Sequence, residues 1–376
     1  MIYLDNAATS FPKPQIVYQE MDKATRTLSF NAGRGHYKEA DRAFEVVEEA
    51  RKYLCEQANA SNLIFSASAT HSLNQIVSGY TYQKGDIIYC SPYDHNAIAR
   101  TLYAHSKKYG FKVKQIPLKK DLTVDIDQLA LDCALERPKM IYCTHVSNVT
   151  GYVLPIEQIG EIAAKYQSIF VVDGAQAFGI VPIDLKKYHI DYYVFAGHKT
   201  LHGPFGIGGF LSNECTINPS FFGGTGTDSL NLEMPTSGSI RYEPSSPNVP
   251  AIAAMYAGAK WTFDHDVLKH EADLYNYARS QLESIDDVIV YQPLTENTSG
   301  IISFNIRGMD CNDAADILAK DYDIALRSGY HCAPYIHDYL GTKMFNGCLR
   351  ASFGYFVTKE DIDQLIDAVD EISLEG

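Results

Sequence analysis

The sequence has no stretch of about 18 or more apolar residues, which is the length that a helix needs to span a membrane. Its N-terminus, Met1-Ile2-Tyr3-Leu4-Asp5, has neither the basic region nor the apolar region of a secretion signal. Basic residues are in the minority, with 32 Lys and Arg against 46 Asp and Glu and a formal net charge of -14. These absences argue against a membrane span, and against a nucleic acid or an anionic membrane as the main partner. We expect a soluble, cytoplasmic protein.

Cysteine is present, but in no arrangement that predicts cross-linking or metal binding. The eight residues include no CxxC pair and show no regular spacing. Disulfide frameworks and zinc sites both need such spacing, so we expect reduced thiols and no bound metal. The positions are Cys55, Cys90, Cys133, Cys143, Cys215, Cys311, Cys332 and Cys348.

The length of 376 residues exceeds the usual size of a single core and predicts one large and one smaller domain. From residue 63 onward, apolar runs of strand length alternate with helical patterns. This alternation predicts an α/β domain in which a mostly parallel sheet is covered by helices on both faces. The predicted strands are Leu63–Phe65, Asp86–Cys90, Lys112–Ile116, Met140–Cys143, Ile169–Val172, Tyr192–Phe195 and Ile207–Leu211, with helices beginning near Thr70, Asn96, Ile126 and Ile156.

After Pro250 the order of the elements changes and predicts a smaller α+β domain. Two helical patterns are followed by two strand patterns and then by further helices. The helices are predicted at about 251–265 and 268–285, from Asn312 and from about Thr358, and the strands at Val288–Tyr291 and Gly300–Ile306.

Lys199 is the first candidate for a catalytic residue. It follows the apolar run Tyr192–Phe195 and precedes the glycine-rich segment 203–209, while Asp173 ends another apolar run. In parallel sheets, ligands bind at the carboxyl ends of the strands. Most single lysines are solvated surface charges, but an acid and a lysine at two strand ends are typical of a pyridoxal-phosphate (PLP) site. There the lysine binds the cofactor covalently and the carboxylate pairs with the pyridine nitrogen.

Three more predicted strand ends carry polar residues. The segment 66–71 opens a helix with small residues, and it is either a phosphate cradle or an ordinary helix cap. His95 follows the next strand, where its imidazole is either structural or able to stack on a bound ring and move protons. The polar loop 145–151 has the side chains to bind a substrate carboxylate or the cofactor.

Two C-terminal segments carry further candidates. Cys332 lies in the turn-rich loop 326–334 beside His331 and near Arg327, a setting that favours a partly exposed thiolate over a buried apolar thiol. Arg350 has the guanidinium best suited to an α-carboxylate, although a surface arginine on a strand is the plainer interpretation.

The motifs together resemble the fold-type I, class V aminotransferase family, and within it the cysteine desulfurases. The loop around Cys332 is similar to the R-[TS]-G-x-H-C-A motif of the SUF-type, or group II, enzymes. The resemblance covers nearly the whole chain and implies a PLP-dependent transferase fold. The matching segments are residues 3–9, 94–97, 147–151, 173–176, 197–199, 247–250, 326–334 and 348–352.

The resemblance implies roles around the cofactor ring and its phosphate. Lys199 would bind PLP covalently, Asp173 would pair with the pyridine nitrogen, and Gln176 would contact the phenolic oxygen. His95 would stack on the ring and act as a proton shuttle. The phosphate and the rest of the cofactor would be held by Ala69, Thr70, the amide of His71, His198 and Asn148.

The resemblance also implies how the substrate is bound and how the domains are divided. Arg350 would bind the amino acid carboxylate, with Asn148, Arg327 and Ala7 nearby. In a homodimer, Thr225 or Thr227 would complete the phosphate site of the neighbouring subunit. An N-terminal segment, residues 1–14, would join the active site, residues 15–255 would form the PLP-binding domain, and residues 256–376 would carry Cys332 and Arg350.

The activity that this resemblance implies is the conversion of L-cysteine to L-alanine. The sulfur would pass to Cys332 as a persulfide and then to an acceptor protein or a reductant. One alternative is selenocysteine or cystine lyase activity, or transamination, which needs Lys199 but tolerates loss of Cys332. Another is a PLP-binding scaffold without catalysis.

Four features depart from the family pattern. Ala196 replaces a serine that helps to bind the phosphate, and Glu243-Pro244-Ser245-Ser246-Pro247 replaces E-x-G-T-P. The segment 223–227 differs from the family's glycine triplet, and the chain is shorter than typical SUF-type members.

Overall fold

The computed structural model describes residues 1–375 of the chain. Its helices are α1 (Gln15–Thr27), α2 (Lys38–Gln57), α3 (Ala69–Gly79), α4 (Asn96–Tyr109), α5 (Ile126–Glu136), α6 (Ile156–Tyr166), α7 (Val249–Phe263), α8 (Val267–Leu282), α9 (Cys311–Asp321), α10 (Ile336–Leu340) and α11 (Lys359–Glu375). Its strands are β1 (Ile2–Tyr3), β2 (Asn62–Ser66), β3 (Ile87–Cys90), β4 (Lys112–Gln115), β5 (Met140–Thr144), β6 (Ile169–Asp173), β7 (Tyr192–Ala196), β8 (Gly208–Ser212), β9 (Val288–Tyr291), β10 (Ile301–Ile306), β11 (Ile324–Ala325) and β12 (Leu349–Ser352). Two short 3-10 helices lie at Ser239–Arg241 and Thr342–Phe345.

The central layer is a seven-stranded sheet in the order β2-β8-β7-β6-β5-β3-β4. All of its neighbouring strands run parallel except β8, which is antiparallel to both β2 and β7. Strands β5, β6 and β7 are buried almost throughout, as expected where helices cover both faces. The predicted α/β fold with a mostly parallel sheet is confirmed, and each predicted strand is present within one or two residues of its predicted ends.

A second, antiparallel sheet has the order β12-β10-β9 and packs against α8 and α9, which in turn contact α11. It encloses an apolar core of its own, with Leu274, Phe304, Leu318 and Leu365 among the buried residues. The predicted boundary at residue 255 lies inside α7, so the division into domains stays a prediction.

The N-terminal strand ties the beginning of the chain to this second region. Ile2 and Tyr3 of β1 pair in parallel with Ile324 and Ala325 of β11. The Ser352 amide then donates to the Leu4 carbonyl at 2.7 Å. This pairing carries the next residues, from Asp5 onward, to the edge of the central sheet.

Within residues 1–375, no helix combines the length and the hydropathy that crossing a bilayer requires.

Candidate active site

The predicted acid and lysine lie at the ends of neighbouring strands. Asp173 is the last residue of β6, and Lys199 follows three residues after the end of β7. The two strands are hydrogen-bonded in parallel, with Asp173 opposite Val194. Because the carboxyl ends of parallel strands meet at one edge of a sheet, the carboxylate and the amine face the same space.

Lys199 has an unusual electrostatic environment. Burial lowers its pKa to about 8, Asp173 opposes that shift, and Arg350 and Arg327 reinforce it. At pH 7 the neutral fraction of an amine with this pKa is about one tenth, whereas the neutral fraction of an ordinary lysine is about one in 3,000. A neutral amine is the nucleophilic form, so the site prepares Lys199 to attack a carbonyl.

Asp173 and Gln176 are both buried and connect the sheet edge to the N-terminal segment. The Ala175 amide donates to Asp173 Oδ1 at 3.0 Å. Burial raises the pKa of Asp173, and both that hydrogen bond and Lys199 oppose the rise. Gln176 Nε2 donates to the Ala7 carbonyl at 2.7 Å, and the Ala7 amide donates to Ser352 Oγ at 2.8 Å. Asp173 is thus a buried carboxylate that would be stabilised by a cationic partner.

His95 is the N-cap residue of α4, and its neighbours on both sides hold it. Its Nδ1 accepts from the Ala97 amide at 3.0 Å, so in the neutral ring Nε2 must carry the proton. The buried Asp94 accepts from the Thr144 amide at 2.7 Å and fixes the preceding turn against β5. Burial, followed by Lys199, lowers the pKa of His95 to about 4. The ring is therefore neutral at physiological pH, and the proton on Nε2 is the one it can offer.

The predicted phosphate residues lie at the start of α3 and after β7. Ala69 is the first residue of α3, and Thr70 is exposed. The His71 amide, predicted to bind phosphate, donates to the N-cap residue Ser68 at 3.2 Å. His198 stacks on the ring of Phe205 at 4.6 Å between centroids, and its buried Nδ1 has no protein partner among the described residues.

Thr225 and Thr227 lie apart from Lys199 on an exposed segment. Their hydroxyls are 3.3 Å from each other, and they line a cavity of about 680 Å³ together with His71. The segment that departs from E-x-G-T-P supports this loop, because the Ser245 amide donates to the Gly224 carbonyl at 2.8 Å. Glu243 remains anchored, since it accepts from Arg51 at 2.8 Å and from the Phe65 amide at 2.6 Å.

Arg350 is almost fully buried, with 1% of its surface exposed. Its Nη2 pairs with Asp5 Oδ1 at 2.6 Å, and its Nη1 donates to the Asn148 carbonyl at 2.9 Å. Its buried Nε has no protein partner in residues 1–375. A buried guanidinium whose Nε is unpartnered is suited to bind a further carboxylate. The sequence reasoning missed the role of Asp5, although Asp5 lies in a matching N-terminal segment.

The loop that carries Cys332 is held in a tight conformation. His331 and Cys332 both have positive φ, 45° and 55°, in a region that non-glycine residues rarely occupy. The Asn148 side chain donates to the His331 carbonyl at 2.7 Å, and the Asn96 amide donates to the Cys332 carbonyl at 2.5 Å. The segments that follow β3 and β5 of the central sheet therefore determine where the Cys332 thiol lies.

The thiol itself is partly exposed and close to positive charge. Arg327 Nη2 lies 3.8 Å from Cys332 Sγ. All eight cysteines are free, and five of them are buried, whereas Cys332 is one of three that are partly exposed. Cys332 is therefore a thiol that a reactant can reach, and it lies beside a guanidinium.

Comparison with known proteins identifies the family. The family model described as "Aminotransferase class-V" matches residues 2–365. This chain belongs to the class-V aminotransferase family. The resemblance inferred from the motifs is therefore confirmed.

Relatives of this class-V aminotransferase carry names that agree with the predicted activity. A "Probable cysteine desulfurase" of Halalkalibacterium halodurans is 31% identical, over 99% of this chain and 93% of the relative. "Cysteine desulfurase CsdA" of Escherichia coli is 30% identical, over 98% of this chain and 93% of the relative. The solved apo structure of the cysteine desulfurase from Thermococcus onnurineus matches with a TM-score of 0.90 and 29% identity, covering 100% of this chain and 95% of that one.

The class-V aminotransferases and the cysteine desulfurases are PLP-dependent enzymes, and the residues at this site suit that cofactor. Asp173 is a buried carboxylate for the pyridine nitrogen, and Lys199 is an amine whose pKa is near 8. The unpartnered Nδ1 of His198 lies at the same sheet edge. Ala196 is buried at the end of β7, so it offers no hydroxyl in place of the family's serine.

Glu271 is a partly buried acid that the sequence reasoning did not find. It lines a cavity of about 30 Å³ with Lys199 and Gln176. Burial raises its pKa to about 8, and a hydrogen bond from the Gly300 amide opposes the rise. Its position in the middle of an amphipathic helix provides no signal in the sequence.

We expect Glu271→Gln to remove a pH dependence of stability. Because the pKa is about 8 in the folded state and 4.5 ordinarily, the folded state holds an extra proton between these values. The free energy of unfolding of the wild type should therefore fall as pH rises from about 5 to about 8, by up to about 1.4 kcal/mol per pH unit. Denaturant unfolding of both proteins across this range measures the difference. Parallel curves would contradict the assignment, and the exposed Glu45→Gln serves as the control.

Proposed function

We propose that this chain is a PLP-dependent cysteine desulfurase that converts L-cysteine to L-alanine and receives the sulfur on Cys332. The observation that carries the proposal is the convergence of Lys199 and Cys332 on one site. The Asn148 side chain and the Asn96 amide hold the Cys332 loop at the strand-end edge that carries Lys199, and Arg327 lies 3.8 Å from Cys332 Sγ. The names of the relatives support the same activity.

The cofactor would be held by residues from neighbouring strand ends. Lys199 would bind it covalently, Asp173 would pair with its ring nitrogen, and Gln176 would lie beside it. His95 would cover the ring as a neutral imidazole, while His198 and the start of α3 would face the phosphate. When bound, PLP supplies an electron sink that stabilises negative charge at the substrate α-carbon.

The protein's own groups would then orient the substrate and move its protons. Arg350 would bind the substrate carboxylate through its unpartnered Nε, while its other donors remain on Asp5 and Asn148. The amine of Lys199, once released from the cofactor, would take the proton from the α-carbon. The Nε2 proton of His95 is available to the reacting substrate.

Cys332 would act as the sulfur nucleophile. Its thiolate would attack the substrate sulfur, so that an S–S bond forms while the carbon–sulfur bond breaks. The carbon skeleton would be protonated and leave as alanine. The persulfide on Cys332 would then pass its outer sulfur to an acceptor protein or a reductant, which regenerates the thiolate.

A homodimer is part of the proposal. The segment that carries Thr225 and Thr227 exposes large apolar side chains, with Phe222 at 75% and Leu232 at 99%. Exposed apolar surface of this kind marks an interaction site. A second copy covering this segment would bring Thr225 or Thr227 to the neighbouring phosphate site.

The direct test is an assay of the purified, PLP-loaded protein with L-cysteine and dithiothreitol. We expect alanine and sulfide in equal amounts, because each carbon–sulfur cleavage releases one of each. Pyruvate with ammonia, or a keto acid formed at the expense of added amino acceptor, would instead indicate a lyase or an aminotransferase. No turnover with intact cofactor binding would favour a scaffold.

The pKa of Lys199 predicts how cofactor loading depends on pH. Only the neutral amine attacks the aldehyde group of PLP. The rate at which the apoprotein binds PLP covalently should therefore rise about tenfold per pH unit and level off near pH 8. Stopped-flow absorbance of added PLP measures this rate. Asp173→Asn removes the charge that raises the Lys199 pKa, so its profile should level off at a lower pH. A rate that keeps rising toward pH 10 would show that Lys199 has an ordinary pKa.

A further inference from the structure

The chain contains one strongly basic segment in an otherwise acidic protein. Between His95 and Lys120 there are seven Lys and Arg residues and no Asp or Glu, although the whole chain has a net charge of -14. These residues belong to α4, β4 and the loop after β4. They are Arg100, Lys107, Lys108, Lys112, Lys114, Lys119 and Lys120.

Most of this positive charge is available to a partner. All seven residues are exposed. Within the part of the chain that the structure describes, Lys114 alone of them forms an ion pair, with Glu136. Strand β4 is also the edge strand of the central sheet. The α4–β4 side of the molecule is therefore a local positive field on a negatively charged protein.

One face of α4 leads from this charge to Cys332. Asn96, Arg100, Tyr103 and Lys107 recur at spacings of four, three and four residues, which places them along one side of the helix. The Asn96 amide donates to the Cys332 carbonyl, and Lys107 lies over the ring of Tyr103 at 5.2 Å. This row, the α4 stripe, spans about 16 Å from the thiol outward.

The space in front of Cys332 is large and has the composition of a binding surface. A cavity of about 700 Å³ is lined by Asn96, Arg100, Tyr103, Arg327 and Cys332, among others. Two exposed tyrosines line it, Tyr103 at 62% and Tyr330 at 44%. Tyrosine and arginine are the residues enriched where proteins bind each other.

The side of the cavity formed by the Cys332 loop also carries positive charge. Arg327 and Lys343 line it, and Lys343 forms an ion pair with Asp338. A negatively charged partner is therefore attracted from the α4 stripe as far as the cavity in front of Cys332.

We infer that the acceptor of the Cys332 persulfide is an acidic protein that docks along the α4 stripe. This inference rests on the proposed desulfurase activity. Its acceptor cysteine enters the cavity in front of Cys332. The acceptor thiolate attacks the outer sulfur of the persulfide, a new S–S bond forms on the acceptor, and the Cys332 thiolate leaves. No oxidant is consumed in this step.

Two synthetic peptides test the inference on the PLP-loaded enzyme. Each peptide has one cysteine between glycines. Four glutamates flank this segment in one peptide, and four lysines flank it in the other. The peptide persulfide formed from L-cysteine is measured by mass spectrometry. We expect the glutamate peptide to accept sulfur at least about fivefold faster at low salt, with the preference lost near 0.5 M salt. Flanking lysines make a thiol more acidic, so intrinsic reactivity favours the lysine peptide.

A matched pair of variants assigns the effect to the stripe. Lys107→Glu should lower the rate with the glutamate peptide at least about threefold and leave turnover with dithiothreitol unchanged. Lys165→Glu is the control, because Lys165 likewise lies in the last helical turn of its helix, α6, over a tyrosine ring at 5.3 Å. Equal rates with both peptides, or equal effects of both variants, would overturn the inference.

Three further measurements distinguish an acidic acceptor from an inactive enzyme, from RNA and from a second copy of the chain. If the wild type has no turnover even with dithiothreitol, the proposed function fails, and binding of a fluorescent peptide with serine in place of cysteine still tests the stripe. Tighter binding of a 12-nucleotide oligouridylate than of the glutamate peptide, abolished by Lys107→Glu, would overturn the inference in favour of RNA. A loss of the dimer in Lys107→Glu, seen by sedimentation, would overturn it in favour of a second copy.

Discussion

Replacing Cys332 with alanine is expected to reduce alanine formation from L-cysteine by at least about three orders of magnitude. The physical reason is that the variant keeps the groups that activate the substrate but has no thiolate to take the sulfur. Lys199, Asp173 and Arg350 come from other segments and do not depend on the Cys332 side chain. The variant should therefore retain the absorbance of bound PLP and its affinity for L-cysteine.

The control for this experiment is Cys55→Ala, which removes another partly exposed thiol. Burial raises the pKa of Cys55 to about 11, so this thiol is protonated and a poor nucleophile. Alanine formation by Cys55→Ala should match the wild type. If Cys332→Ala turns over as fast as the wild type, Cys332 is not the sulfur acceptor, and lyase or aminotransferase activity becomes the better hypothesis.

Lys199→Ala is expected to abolish covalent PLP binding and to lower turnover by about four orders of magnitude or more. The variant loses both the amine that binds the cofactor and the base for the α-carbon proton. Noncovalent cofactor binding through Asp173 and the phosphate residues should persist, so the protein should bind PLP without the absorbance of a lysine adduct. Absorbance spectra and borohydride trapping followed by mass spectrometry measure the two effects.

Lys13 provides a demanding control for Lys199. Burial also lowers the pKa of Lys13 to about 8, and its Nζ is 3.4 Å from the His198 carbonyl. The two amines thus have similar pKa values, but Lys13 precedes α1 and is not at a strand end. Lys13→Ala should keep the lysine adduct. Trapping of the cofactor on Lys13 in the wild type would contradict the assignment of Lys199.

The elements of the central sheet could be predicted because their signals are local. Strands β5, β6 and β7 each begin with at least four apolar residues, and each is followed by a polar or glycine-containing segment. Because the three strands are parallel, their carboxyl ends lie at one edge of the sheet. This is why Asp173 and Lys199, 26 residues apart in the chain, could be assigned to one site.

Other features of the site depend on contacts between distant parts of the chain. Arg350 pairs with Asp5 across 345 residues, and nothing in the residues around either one predicts the other. Likewise, the Asn148 side chain holds the His331 carbonyl across 183 residues, and this contact helps to place Cys332.

The sequence alone determined the fold class and the family, and it predicted the reactive groups, because strand patterns and short motifs consist of neighbouring residues. Tertiary structure alone decided that the Arg350 Nε has no partner among the described residues, that Glu271 shares a small cavity with Lys199, and that one face of α4 leads from Cys332 to a basic surface. Burial and proximity in space set pKa values and charge fields, and neither quantity exists until the chain has folded.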